Sequence, residues 1–316
     1  MSAETIVVTG GAGFIGSRLC LRLCDLGYSV TILDNLSTGQ LDRLKPMLEH
    51  SGARFVQGDI RDKAILERII SGADYLYHLA ASISVAKSIV EPLTTLDVNA
   101  SATLEILRLA AKYELKKVVL ASSAAVYGDV ELMPVNEQTA LNPLSPYAIS
   151  KVIAEQYAQL FNDFAGMPTV ILRFFNVYGP GQDSTSEYSS VIPKFIHRVT
   201  SGQPPIIFGD GEQTRDFVHV DDVVSATILA LGENARGVFN VGSGEAATLN
   251  HLTWLLLDIT GNSLSPVYEA ERLGDIRHSV ADINKVRNIG YMPVVELRSG
   301  LEQMVASLLN QRSSAS

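Results

Sequence analysis

The chain has 316 residues, 47% of them hydrophobic, and carries 25 Lys and Arg against 34 Asp and Glu for a net charge of −9. That length and apolar content support one large or two modest domains, and an acidic balance without runs of like charge argues against nucleic acid or an anionic membrane as partner. No uncharged apolar run of about 18 residues occurs, and the N-terminus enters an apolar strand directly, so the cytoplasm is the expected location.

The first strand, 6–8, leads into Val8-Thr-Gly-Gly-Ala-Gly-Phe-Ile-Gly16 and an apolar-striped helix over 15–26. Gly10 and Gly11 suit a tight turn, Gly13 lets the backbone approach a pyrophosphate, and Gly16 lets the helix pack closely on the strand. The helix N-terminus then faces the phosphates. Cys20 and Cys24 lie one helical turn apart beside Leu19 and Leu23, which reads as core packing. Asp34 closes the next strand, 29–33, about 20 residues on, where a carboxylate accepts from an adenosine ribose and repels a 2′-phosphate. The pattern predicts a dinucleotide site that favours NAD over NADP.

Strands at 54–57, 74–79, 117–121 and 169–174 alternate with helices at 63–70, 92–113 and 146–164. Such alternation predicts an α/β fold with a doubly wound parallel sheet of Rossmann type. From Asn99 onward the third helix carries two apolar stripes, Ala100, Leu104, Leu107 and Ala111, and Ala102, Ile106, Leu109 and Tyr113. Two buried faces need two partners. One is the sheet; the other is a second lobe or the same helix of a twin subunit, with a homodimer expected.

Tyr147-Ala-Ile-Ser-Lys151 opens a helix whose entry is marked by Pro143 and Pro146, and the i, i+4 spacing places both side chains on one face. An ammonium beside a phenol, joined by the charge of an oxidised nicotinamide, favours phenolate and lowers the tyrosine pKa from about 10 toward working pH. Tyr147 thereby becomes a general base. The strand before it ends in Ser122-Ser123, at the carboxyl edge where a hydroxyl can accept from substrate and donate to a phenolate. A surface Tyr–Lys pair and a serine turn cap are the plain structural readings of these residues. Nucleotide turn, serine and Tyr–Lys pair in this order point instead to chemistry. None of the six histidines falls in a metal pattern, so no metal is expected.

Beyond Asn176 the rhythm breaks into Pro- and Gly-rich loops at 179–181, 202–205 and 209–211, with 218–231 and 238–241 again reading as core helix and strand. The expected division is a nucleotide domain over 1–176, to which 218–241 returns, and an interleaved smaller α/β substrate lobe from 177–217 and 242–316. The tail from 311 to 316 looks frayed.

Asp59-Ile60, His78-Leu-Ala-Ala81, Asn99, Arg173-Phe-Phe-Asn176, Tyr178-Gly-Pro180, Arg215-Asp216 and Gly274-Asp275-Ile-Arg-His-Ser279 extend the pattern over almost the whole chain. With the glycine turn, Ser123, Tyr147 and Lys151, the sequence resembles the extended short-chain dehydrogenase/reductase family, specifically its nucleotide-sugar epimerase branch. The resemblance implies NAD contacts from Gly10, Gly13, Phe14, Ile15, Gly16, Leu79, Ala80, Ala81 and Asn99, with Asp34, Asn35, Asp59 and Ile60 at the adenosine. It implies that Tyr147 and Lys151 touch the nicotinamide ribose as well as acting with Ser123 in catalysis. On the UDP-sugar, it implies Asn176 at the phosphates, Val191 and Phe208 around the uracil, Arg215 and Arg272 on the diphosphate, Asp275 at the ribose, and Ser123 and Ser279 at the sugar. Paired guanidiniums suit a diphosphate through forked, charge-assisted bonds.

Branches of the family share a first oxidation, in which the tyrosine takes the C4 hydroxyl proton, hydride passes to NAD and a 4-keto sugar forms. The 4,6-dehydratases then need an Asp-Glu pair after the serine, and uronate decarboxylases keep a glutamate at the second of those places; here they hold Ala124 and Ala125. The implied fate is rotation of the sugar and return of hydride to its opposite face, with NAD retained. No Lys or Arg lies between Arg173 and Lys194, which favours a neutral hexose or N-acetylhexosamine over a C6 carboxylate. Ser279 leaves room for an N-acetyl group, although room alone discriminates weakly. Ile83 stands where several glucose-specific relatives carry a lysine. The expectation is a UDP-hexose 4-epimerase acting on UDP-GlcNAc and UDP-GalNAc, and also on UDP-glucose and UDP-galactose. UDP-glucuronate 4-epimerase and a non-catalytic NAD-binding scaffold are the alternatives.

Overall fold

The structure, a computed structural model, describes residues 3–49, 53–182, 190–271 and 276–315. In chain order the strands are β1 Thr5–Thr9, β2 Ser29–Asp34, β3 Ala53–Gln57, β4 Tyr75–His78, β5 Lys117–Ser123, β6 Thr169–Phe174, β7 Asn176–Tyr178, β8 Ile206–Phe208, β9 Thr214–Arg215, β10 Phe217–His219, β11 Gly237–Val241, β12 Ala247–Thr248, β13 Val267–Glu269 and β14 His278–Ser279. The helices are α1 Phe14–Asp25, α2 Lys45–Glu49, α3 Lys63–Ile70, α4 Val85–Val90, α5 Pro92–Leu96, α6 Ala102–Lys112, α7 Pro146–Ala165, α8 Val191–Thr200, α9 Val220–Leu229, α10 Leu249–Thr260, α11 Asn284–Arg287 and α12 Leu297–Ala315.

Seven strands form the central sheet in the order β11-β6-β5-β4-β1-β2-β3, and all the pairings are parallel. Period-2 alternation sends Ile6, Val8, Val119 and Leu172 to one face, where α1 and α9 cover them. Val7, Val118, Leu120 and Ile171 go to the other, under α3, α6 and α7. Both faces are therefore apolar, as a sheet covered by helices on both sides requires. Strand order reverses between β1 and β4, opening a crevice at their carboxyl ends where open α/β sheets bind ligands. Cys20 is fully buried in the core beneath α1.

The later chain builds a smaller lobe of short pairings, β10 with β7, β13 with β8, and β12-β9-β14. Its core gathers Phe195, Ile207, Leu252, Leu256 and Leu301 from α8, β8, α10 and α12. The last helix continues through Ala315, where a frayed tail was expected from residue 311; no Gly or Pro stands between Leu301 and Ala315 to stop it. No helix among the described residues is long and apolar enough to cross a membrane.

The helix expected over 92–113 runs without a break over 92–112, but not as a uniform α-helix. Residues 97–101 form a π turn between α5 and α6, in which Thr103 Oγ1 donates to the Asn99 carbonyl at 2.7 Å. α4, capped by Ser84 accepting from the Lys87 amide at 3.0 Å, was not anticipated. Ala102, Ile106, Leu107 and Leu109 of α6 pack into the core shared with the sheet, α3 and α7, while Leu104 stays half-buried. Large apolar side chains are exposed on α4, α5 and α7, among them Ile89 and Leu93 on α4 and α5, and Leu160 and Phe164 on α7.

Candidate active site

β1 ends at Thr9, and the turn into α1 depends on glycine at two close approaches. Gly10 sits at φ +73° and a Cβ there would lie 2.6 Å from the Ala80 nitrogen, so the β1 and β4 exits pass in backbone contact. A Cβ on Gly16 would collide with the Gly10 carbonyl and lie 2.8 Å from Gly11 Cα. Gly13 is the N-cap of α1, and no side chain caps this end. The first-turn amides of Phe14 and Ile15 therefore have no side-chain acceptor, which suits a diphosphate at a positive helix end. At the end of β2, Asp34 is buried and accepts from Ala12 N at 3.0 Å and Leu36 N at 2.8 Å, tying the glycine turn to the β2 exit. Beside it Asn35 Nδ2 donates to Asp59 at 3.0 Å, and Arg61 clamps Asp59 from Nε and Nη2, both at 2.9 Å. The Arg61 guanidinium holds the Asp59 carboxyl well below the usual carboxylate range. Ile60, next in the chain, is buried.

The residues expected to be catalytic meet at the end of β5. α7 starts where Ser145 accepts from Ala148 N at 3.1 Å and Pro146 occupies the first turn, a start signal that fixes the register of the helix. Tyr147 and Lys151 share a buried face, at 9% and 6% exposure. Lys151 Nζ donates to the Ala121 carbonyl at 2.9 Å, and burial brings its pKa down to about 8. Burial pushes the Tyr147 phenol up, opposed by a hydrogen bond with Ser123. Ser123 also caps the 3₁₀ turn Ala124–Tyr127 by accepting from Ala125 N at 3.2 Å. It therefore fills the plain structural role while standing beside the phenol, where the expected chemical role requires it.

Asn99 is 2% exposed and its carboxamide is engaged within the chain. It accepts from Ser82 N at 2.7 Å, and donates to Ser82 O at 3.0 Å and to Ser150 Oγ at 2.9 Å. Ser150 in turn donates to the Tyr147 carbonyl at 2.7 Å. Asn99 thus fastens the loop of Leu79, Ala80 and Ala81 to the catalytic helix. Thr103 donates to the Asn99 carbonyl, so His78 Nε2 donates to Thr103 at 2.9 Å and His78 Nδ1 accepts from Thr9 Oγ1 at 2.7 Å. Burial lowers His78 to about 3, which keeps this link neutral. The roles of Ser150, Thr9 and Thr103 left no mark in the sequence, because each acts across elements distant in the chain.

Of the expected substrate residues, Asn176 and Val191 line one cavity of about 200 Å³ with Phe175, Tyr178 and Phe217. Arg215 and Ser279 are register partners on β9 and β14, and Arg215 Nη1 donates to the Thr214 carbonyl at 2.9 Å. Phe208 ends β8, outside the lining of that cavity. Arg272 and Asp275 lie outside the described residues. No cluster of three or more His, Cys, Asp or Glu able to hold a metal occurs among the described residues.

Residues 6–242 match the model of the "NAD dependent epimerase/dehydratase family". The chain belongs to that family. It is an enzyme, and NAD is its cofactor. A putative UDP-glucose 4-epimerase of Methanocaldococcus jannaschii is 40% identical over 307 residues, 96% of this chain and 98% of the relative. The UDP-N-acetylglucosamine 4-epimerase of Methanobrevibacter ruminantium, solved with UDP-N-acetylmuramic acid, superposes with a TM-score of 0.94 at 40% identity, covering 98% of this chain and 100% of that one. A UDP-glucuronic acid 4-epimerase of Bacillus cereus, solved with NAD and a fluorinated substrate analogue, gives 0.90 at 30% identity over 98% and 100% of the two chains. The non-catalytic scaffold is set aside, since Ser123, Tyr147 and Lys151 converge and the family is enzymatic.

The glycine contacts fit the cofactor, because a side chain at Gly10 would push apart the β1 and β4 exits that flank the dinucleotide crevice, and one at Gly16 would force the start of α1 off the Gly10–Gly11 backbone. Gly16→Ala should purify with at most about a tenth of the wild-type NAD, since neither neighbour is a flexible side chain able to move aside. The bound nucleotide is assayed after heat release, and wild-type occupancy would contradict this packing role.

Proposed function

We propose that this NAD-dependent UDP-sugar 4-epimerase interconverts UDP-GlcNAc and UDP-GalNAc, accepts UDP-glucose and UDP-galactose as well, and works as a homodimer with the UDP-sugar lying across the carboxyl edge of β5. The observation that carries the reaction is the buried face of α7 that sets the Tyr147 phenol beside Ser123 at the end of β5, with the Lys151 ammonium one turn behind it on the Ala121 carbonyl. NAD, when bound, accepts hydride from C4 of the sugar and gives it back. Tyr147 takes the C4 hydroxyl proton directly or through Ser123, and the cationic Lys151 offsets the charge on the phenolate that burial alone would disfavour. The turn after Ser123 presents Ala124 and Ala125, so no acid or base at those positions diverts the 4-keto sugar. Tyr147 returns the proton once the sugar has turned its other face.

Three features support the choice of sugar. Ser279 is small and sits beside Arg215 on β14. No Lys or Arg lies between Arg173 and Lys194 to meet a C6 carboxylate, and Ile83, 66% exposed, replaces the lysine of several glucose-specific relatives. The likeness to the Bacillus cereus enzyme keeps UDP-glucuronate as the second reading. Purified protein is incubated with UDP-GlcNAc, UDP-glucose and UDP-glucuronate in parallel, without added reductant, and the products are read by NMR. The C4 epimer of UDP-GlcNAc is expected to form fastest. Preferred turnover of UDP-glucuronate would transfer the assignment, and turnover of none would reject it.

The double variant Tyr147→Phe/Ser123→Ala should keep substrate binding by calorimetry within about threefold while losing turnover by at least about 10³, since it removes the base and its relay. Activity near wild type would reject the mechanism. Ser279→Tyr should suppress the N-acetylated reaction more than the glucose reaction, and equal loss on both would reject the gate.

The dimer proposal rests on the apolar side chains that α5 and α7 leave exposed. Leu160 and Phe164 share a stripe with Ile149 at helical spacing, and Leu93 is 80% exposed on the helix packed beside it. Contiguous apolar surface of this kind marks an association site. Leu160→Glu/Phe164→Glu should elute as a folded monomer in size-exclusion chromatography with light scattering. An unchanged mass ratio to wild type would place the interface elsewhere.

A further inference from the structure

The face of α7 that carries Tyr147 and Lys151 holds a third polar residue at the same spacing, Glu155, 3% exposed. We propose that Glu155 is a positioning residue for the catalytic pair: its carboxylate, clamped by Arg173 and Ser122, keeps Lys151 an ammonium and fixes the end of β5 that presents Ser123.

α7 is stitched to consecutive residues of β5 by two rungs one helical turn apart. Lys151 Nζ donates to the Ala121 carbonyl at 2.9 Å, and Ser122 Oγ donates to Glu155 Oε1 at 2.5 Å. Ser123, the partner of the phenol, is the next residue. Arg173 on β6 is the register partner of Ser122 and closes on the carboxylate from two atoms, Nη2 to Oε2 at 2.6 Å and Nε to Oε1 at 3.0 Å. The other side of the guanidinium donates to Tyr127 Oη at 2.9 Å and lies 4.8 Å from that ring's centroid. Tyr127 Oη donates to Asn240 Oδ1 on β11 at 2.6 Å. The brace therefore ties α7 to β5, β6 and β11, and every member has its partner.

The charge has a direction. Around Lys151 stand Tyr147 and Glu155 on α7, neutral His78 on β4, the hydroxyls of Ser122 and Ser123 on β5, Arg173 on β6, and Tyr127 on the 3₁₀ turn. Glu155 is the anion of this set, and it opposes the burial that strips the proton from Lys151. A buried ion pair contributes little over apolar residues of the same volume, so stability alone gives no reason for it here. A negative charge placed one turn behind a buried ammonium does.

The role rests on the proposed epimerisation, so wild type is measured first, on whichever of UDP-GlcNAc and UDP-glucose it turns over. Turnover of neither sinks the reaction itself. With an active wild type, kcat and KM are followed against pH in Glu155→Gln, in Glu155→Asp, which keeps the charge, in Ser122→Ala, and in Glu155→Gln/Arg173→Met, which also removes the guanidinium left without its carboxylate. Loss of the anion should move the alkaline limb of kcat to lower pH by at least about half a unit in both Gln variants, with KM within about twofold of wild type. Glu155→Asp should keep the wild-type limb. Ser122→Ala should lower kcat without moving the limb, because it cuts one rung and leaves the charge. If Glu155→Gln fails to fold, the double variant decides. An unmoved limb in the folded Gln variants, with losses confined to the melting temperature, would reduce Glu155 to scaffold and overturn the proposal.

Discussion

The site is organised around one electrostatic constraint: a lysine ammonium has to stay charged where water scarcely reaches it. Lys151 is 6% exposed and burial pulls its pKa to about 8, yet a phenolate in front of it is useful only while the cation persists. The chain meets this with a fixed carbonyl at Ala121 and a clamped carboxylate at Glu155. Both partners are held by β5 and β6, adjacent interior strands of the sheet. The same desolvation that threatens the ammonium strengthens its effect on the phenol, because charges interact more strongly in a medium of low polarity.

The nucleotide half and the catalytic half are joined where the strand order reverses. Gly10 brings the β1 exit against Ala80 of the β4 exit, and Asn99 carries that contact on to Ser150 and so to the main chain of Tyr147. A π turn in the middle of a helix is a costly local geometry, often found at functional positions. Here it places the Asn99 carboxamide between the loop at Ser82 and the first turns of α7. Tyr147 thus stands in a defined relation to the glycine turn, although 137 residues separate Tyr147 from Gly10.

Local periodicity made much of this legible in the sequence. The Gly10-to-Gly16 spacing, the alternation in β1, β5 and β6, and the i, i+4 pair Tyr147–Lys151 are each encoded within a few residues, and each stands where its pattern implied. The same spacing extended once more reaches Glu155, a signal available to sequence reading and passed over. Asn99, His78 and Ser150 act through partners 17 to 69 residues away, and no periodic pattern records such contacts. The short strands β8, β9, β12 and β14 carry two or three residues each, too few to show a period. The second apolar stripe of α6 was real, but a stripe says that a face is covered without saying by which chain.

The central claim is that hydride leaves C4 and returns to the same atom inside one closed site, steered by Tyr147 and the cation behind it. It is tested most directly by incubating the purified enzyme in ordinary water with UDP-GlcNAc deuterated at C4 and following the isotope by NMR. Retention of the label at C4 in the epimerised product, with no NADH appearing in bulk solution and no added NAD required, is the predicted result. Deuterium washed into solvent from C4, or an epimer formed only while external nucleotide is consumed, would contradict it.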